Sequence, residues 1–104
     1  MSWTVVVRPE AGDDVTQAAD WYDERQEGLG DQFVEEILRV YDALAINPHL
    51  NSRRDRRKNV RWRFPDRFPY RIVYEIIDAE SVVVAAAVIH AAREDRHWRK
   101  RIQA

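Results

Sequence analysis

No cysteine occurs among the 104 residues, which excludes a disulfide framework and a cysteine-ligated zinc or iron–sulfur centre and fits a reducing, cytoplasmic home. Glycine is scarce: Gly12, Gly28 and Gly30 are the only three, and they do not form a phosphate-cradling loop. None of the serines Ser2, Ser52 and Ser81 sits in a nucleophile elbow. His49, His90 and His97 lack the spacing of a metal site, so neither metal nor cofactor is expected. Long apolar runs are missing too. Val5–Val7 is too short for a signal sequence and has no basic leader, and no stretch approaches the ~20 residues of a membrane span. The expectation is a soluble, unprocessed protein without a membrane partner.

Charge is plentiful and unevenly placed. Residues 1–50 carry three basic and eleven acidic side chains, a net of −8, whereas residues 51–104 carry fourteen basic and seven acidic, a net of +7; together they give the overall −1. Such asymmetry implies one positive face able to meet phosphates or an acidic protein, or simply acidic solvent faces on the helices of the first half. At 12.3 kDa, with 45% hydrophobic residues, the chain suits a single domain over residues 1–104 with one modest core.

Taken in order, Trp3–Arg8 is β-branched and aromatic and ends at Pro9, which reads as a first strand. Gly12-Asp13-Asp14 offers a cap and first-turn acids for a helix carrying Val15, Ala18, Ala19 and Tyr22, to about Arg25. Gly28-Leu29-Gly30 breaks it, and a second helix starts near Asp31, places Phe33, Ile37, Val40, Tyr41 and Leu44 on one side, and stops at Asn47-Pro48. Arg53–Lys58 reads as a polar connector with five basic residues. Val60–Phe64, Tyr70–Ile76 and Val82–His90 then form a three-strand meander, with turns at Pro65-Asp66-Arg67 and Asp78–Ser81. The last strand is apolar without alternation, so both its faces should be covered, placing it inside the sheet. Asp95–Arg101 reads as a short helical turn capped by Asp95 and carrying Trp98. The layout β-α-α-β-β-β, a helical hairpin on one face of a mainly antiparallel sheet, is an α+β two-layer domain.

Alternation puts Trp62 and Phe64 on one strand face and Arg61 and Arg63 on the other. The expectation is that Arg61, Arg63, Arg71, Arg93 and His90 gather on one open face. Arginines there can clamp phosphate oxygens in pairs, and a histidine can move a proton near neutral pH. The alternative is a solvated face whose arginine stems cover apolar surface, with His90 merely bonded to a carbonyl. His49 reads as solvent-facing and Trp21-Tyr22 as core. His97 is either rim or site, and Trp98 is either a lid on the sheet or a stacking surface for a base.

Several stretches carry a resemblance. Trp21-Tyr22, Gly28-Leu29-Gly30 with Phe33, Asn47-Pro48, Phe68-Pro69-Tyr70-Arg71-Ile72-Val73-Tyr74, and His90-Ala91-Ala92-Arg93 followed by Trp98 are similar, in order and over nearly the whole chain, to the RelE/ParE superfamily of type II toxin–antitoxin toxins, the plasmid-stabilisation type included. The resemblance implies one of three activities. The first is a metal-independent, ribosome-dependent messenger RNA endoribonuclease of RelE or YoeB type. The second is a ParE-type DNA gyrase inhibitor without nuclease activity, and the third a diverged, inactive antitoxin-binding member. In the nuclease case it implies catalytic roles for His90, Arg71, Arg93 and Arg61, and RNA contacts from Arg63, His97, Trp98, Arg57 and Lys58. The catalytic tyrosine of RelE has no counterpart here; only His97 or Trp98 stands near that position. In every case the resemblance implies a cognate antitoxin as protein partner, and self-association stays open.

Overall fold

The computed structural model describes residues 2–57, 59–93 and 96–102, the side chains of Arg96 and His97 excepted. Lys58 as an RNA contact, Asp95 as a helix cap and the reach of the His97 side chain therefore lie outside the described residues. Strand β1 (Thr4–Val7) leads into helix α1 (Pro9–Arg25) and helix α2 (Leu29–Ile46). Strands β2 (Arg53–Arg54), β3 (Val60–Arg63), β4 (Tyr70–Ile77) and β5 (Val82–His90) follow, and helix α3 (Arg96–Ile102) closes the order. The sheet runs β1-β5-β4-β3-β2, with β1 parallel to β5 and every other pair antiparallel. The fold is α+β, as expected, with β5 inside the sheet and β1 at one edge. No helix among the described residues is long and apolar enough to cross a membrane.

Helix α1 begins at Pro9, several residues before the expected cap at Gly12-Asp13-Asp14. Proline at the first helical position costs nothing, because the N–H it lacks has no partner there and its φ is already helical. The Arg8 carbonyl accepts the Gly12 N–H at 3.1 Å, so the residues expected to cap the helix stand inside it. Asp14 is thereby free to reach the sheet. Between the helices Gly28 takes φ +87°, and at Gly30 a Cβ would overlap the Ala19 carbonyl oxygen and the Asp23 carboxyl group. The Gly30 N–H donates instead to Asp23 Oδ1 at 2.7 Å, clasping the hairpin at its turn. Helix α2 consequently starts at Leu29 rather than near Asp31.

The hairpin buries Ala18, Phe33, Ile37, Val40 and Leu44 against Ile72, Tyr74, Ile76, Val83 and Val88. Each of the valine, leucine, isoleucine and phenylalanine side chains among them contributes about 1.5–3 kcal/mol relative to exposure. The opposite face carries a smaller cluster in which Val60, Val73, Ala87 and Ile89 receive Trp98, with Ile102 beside them. The apolar run of β5 is thus covered on both sides, by the hairpin and by α3. The register between β4 and β5 shifts at Val73/Tyr74, leaving Ala86 as an extra residue on β5. Strand β2 went unforeseen within the expected connector: Arg53 and Arg54 pair with Trp62 and Arg61, and Asn59, at φ 66°, turns the chain back.

Candidate functional site

Directly opposed residues of an antiparallel pair share a sheet face. Arg61 lies opposite Tyr74 and Arg63 opposite Ile72, both on the hairpin face. Arg71 lies opposite Ile89 and Trp62 opposite Val73, both on the α3 face. His90 lies opposite Tyr70, on the hairpin side again. The expected gathering of Arg61, Arg63, Arg71, Arg93 and His90 on one face is therefore corrected. A strand has a period of two, so the connection between β3 and β4 decides which residues share a face. Here it sets Arg63 against Ile72, the neighbour of Arg71.

The separated groups have local partners. Arg61 Nη1 donates to Ser52 Oγ at 3.2 Å and Arg63 Nη1 to the Leu50 carbonyl at 3.5 Å, so both brace the loop after α2. Arg57 Nη1 donates to the Arg99 carbonyl at 3.2 Å, and Arg99 pairs with Asp55 at 3.1 Å, which fastens α3 to the β2–β3 turn. Trp98 is fully buried. It cannot stack on a base, and of its two expected roles only packing on the sheet survives. Arg71 Nη2 donates to the Arg93 carbonyl at 3.2 Å, with its guanidinium 5.4 Å from the Trp62 ring.

Two of the expected residues, His90 and Arg93, do meet in a cleft of about 360 Å³ between α1 and the ends of β4 and β5. Ala18, Val88 and Ile89 supply apolar lining; Asp14, Gln17, Trp21 and Tyr22 line the cleft from α1 and Tyr70 from the start of β4. His90 Nδ1 accepts the Ala92 N–H at 3.0 Å, so a neutral ring carries its hydrogen on Nε2. Burial raises the Tyr22 pKa, and the neighbouring Tyr70 adds to the rise. Burial also raises that of Tyr70, against the opposing pull of Arg93. Both phenols keep their protons at neutral pH and remain donors. Behind them the Tyr22, Phe33, Phe68 and Tyr70 rings pack at centroid distances of 4.9–5.4 Å. Trp21, expected in the core, is instead 47% exposed, with the Arg25 guanidinium 3.4 Å above its ring. Only Tyr22 of that pair joins the aromatic core.

Asp14 anchors one end of the cleft. Strand β1 pairs with β5 only as far as Ala85, and the Asp14 carboxylate takes over beyond it, accepting the Val88 N–H at 3.0 Å. Arg101 reaches the same carboxylate from α3, at 2.7 and 3.3 Å, and also donates to the Ala86 carbonyl at 3.1 Å. A second tie runs from the Arg8 guanidinium to the Arg101 carbonyl. Asp14, Gln17, Trp21 and Tyr70 were missed as site residues in the sequence. A signal existed: positions 14, 17, 18 and 21 fall on one helical stripe, and its mixture of polar and aromatic residues does not suit a purely buried face. Among the described residues no group of three potential metal ligands forms.

Residues 5–95 match the family model described as ParE toxin of type II toxin-antitoxin system, parDE. No curated protein matches the chain. Among solved structures the fold is similar to one from the chromosomal ParDE toxin–antitoxin system of P. aeruginosa, with TM-score 0.72, 13% identity, and 85% of this chain and 95% of that one covered. A chain of the RelBE2 toxin–antitoxin complex of Mycobacterium tuberculosis gives TM-score 0.62 and 20% identity, covering 86% of this chain and 99% of that one. The isolated RelE toxin of E. coli gives 0.55 and 19%, covering 97% and 99%. At such identities these likenesses concern the fold.

Proposed function

Because the chain belongs to the ParE toxin family of type II toxin–antitoxin systems, we propose that it arrests growth by gripping DNA gyrase through surface complementarity, without cutting RNA. The observation that carries this reading is the strand register. It puts Arg61 and Arg63 on one face of the sheet and Arg71 on the other, whereas in-line cleavage of a phosphodiester needs its charge-stabilising groups around one phosphate. Burial of Trp98 adds to it, since that ring is closed to a base and the sequence has no tyrosine in the C-terminal helix. A gyrase target puts the site of action in the cytoplasm.

The partner in this reading is a cognate antitoxin that orders on the toxin and sets acidic side chains against the basic second half of the chain, net +7. Two of the similar structures come from toxin–antitoxin assemblies, in line with such a partner. Co-purification with the product of the adjacent reading frame tests it, and failure of that product to bind in a pull-down contradicts it.

One observation favours nuclease action instead: Arg71 bonds to the backbone of Arg93, and Arg93 shares a cleft with His90. In that reading the messenger's 2′-hydroxyl attacks the adjacent phosphate, the P–O5′ bond breaks to leave a 2′,3′-cyclic phosphate, His90 passes the 2′ proton to the departing 5′-oxygen, and Arg71 and Arg93 hold the non-bridging oxygens. Purified protein assayed in parallel on gyrase supercoiling and on messenger RNA in stalled ribosomes separates the two. The expected result is loss of supercoiling with no cleavage above background. Cleavage that falls by about 100-fold in His90→Ala overturns it, because a positioned general acid or base supplies on the order of 10²–10⁴-fold.

A further inference from the structure

We infer that the cleft between α1 and the ends of β4 and β5 is a binding site for an unstacked nucleotide, its base against Trp21 and its phosphate against Arg93. The volume, about 360 Å³, lies within the ~300–1,000 Å³ range of small-molecule sites. Chemistry divides across it. At the strand ends every polar side chain can donate: the exposed Arg93 guanidinium, the His90 Nε2–H and the Tyr70 hydroxyl, with the Tyr22 hydroxyl of α1 close by, its ring 6.1 Å from that of Tyr70. Several converging donors suit a group with several acceptor oxygens, and a phosphate is such a group.

The α1 rim is different. Trp21 offers a half-exposed ring, and Arg25, stacked on it at 3.4 Å, holds that ring in one orientation. A rigid, partly exposed indole stacks any base, because every base has a π-face. One turn before it, Gln17 presents an amide that both donates and accepts, matching the mixed edge of a base. The carboxylate of Asp14 is already engaged by Val88 and Arg101, so it shapes the end of the cleft without repelling the phosphate as a bare anion would. An acidic peptide could satisfy the donors too. The combination of a stacking ring, an amide and a multi-donor rim within one small volume favours the nucleotide.

This site shares His90 and Arg93 with the nuclease reading, but it requires no cleavage, so binding at it is measured independently of activity on gyrase or messenger RNA. Its source is either a free nucleotide or one nucleotide of a single strand. Isothermal titration of the full chain with adenosine monophosphate, adenosine, inorganic phosphate, short single-stranded DNA and RNA, and an acidic peptide carrying one tryptophan tests it. The expected result is saturable binding of the monophosphate that weakens about 10-fold or more in Arg93→Ala, while adenosine binding is unchanged by that variant. Trp21→Ala weakens monophosphate and adenosine alike, by roughly 5- to 100-fold. A single strand that binds more tightly than the monophosphate, with the same losses, assigns the site to a polymer; equal affinity assigns it to the free nucleotide. Both side chains are exposed, so the variants keep the fold. Absence of saturable nucleotide binding, nucleotide binding indifferent to both variants, or peptide binding where nucleotides are silent overturns the inference.

Discussion

Tyr41 and Glu36 are two polar residues of α2 held under the sheet, with opposite outcomes. The Tyr41 hydroxyl is buried without a hydrogen-bond partner among the described residues. Burial, with Asp14 nearby, pushes its pKa up to about 12. An orphaned hydroxyl costs on the order of 1–3 kcal/mol of desolvation, so Tyr41→Phe should stabilise the fold by about 1 kcal/mol. The corresponding rise in melting temperature is roughly 4–8 °C for a domain of this size. A fall on calorimetry would show that the hydroxyl is satisfied. Glu36, 3% exposed, is well served: it accepts the Arg67 N–H at 3.0 Å and pairs with the Arg67 guanidinium. Burial alone would raise its pKa, and the hydrogen bonds and charge of Arg67 reverse that, holding it below the usual glutamate value. A depressed carboxyl pKa stabilises the fold above the unfolded-state pKa, and that contribution is lost as pH falls through the folded-state pKa. Urea titrations from neutral to acidic pH should therefore show declining stability, with the slope reduced in Glu36→Gln. Arg67→Ala leaves a buried carboxylate unpaired and should destabilise by about 2 kcal/mol, less than for a fully buried pair because Arg67 is half exposed. An unchanged urea midpoint in Arg67→Ala would contradict the pairing.

Elements differ in how far they could be read ahead of the structure. The hairpin was legible because Phe33, Ile37, Val40 and Leu44 recur at helical spacing and Gly28 and Gly30 interrupt it. Gly30→Ala should destabilise by about 2 kcal/mol or more, since the Ala19 carbonyl and Asp23 already occupy the space of a Cβ; a neutral effect on thermal melting would mean that the helices can part. The β4 and β5 strands were legible from β-branched runs bounded by turns. The pair at β2 was not, being two residues long and wholly basic. The facing of Arg61, Arg63 and Arg71 was also beyond reach. Alternation specifies the two sides of each strand, but which side meets the hairpin depends on pairing across the 64–69 connection, and one residue there reverses it. Similarly Trp98 carried no apolar alternation around it, so its burial depends on the ties through Arg57, Arg99 and Arg101 that pin α3. Asp14→Ala unties Arg101 and bares the Val88 N–H. It should cost about 2 kcal/mol and speed hydrogen exchange at Val88, and unaltered exchange there would contradict the role given to Asp14.

On the scale of the whole molecule, a −8 first half and a +7 second half are folded into one domain, and Asp14–Arg101 and Glu36–Arg67 join the two across it. Among the described residues, Arg61 and Arg63 lie on one side of the sheet and Arg71 on the other. That distribution suits a protein recognised over a broad surface, by an antitoxin and by a large target, more than one that focuses charge on a single phosphate. The comparison that tests this most directly is induction of the chain in bacterial cells, with DNA synthesis and protein synthesis followed separately by pulse labelling. DNA synthesis is expected to fail first, while translation continues through the early minutes. Prompt loss of translation with replication still running, relieved by His90→Ala, would contradict it.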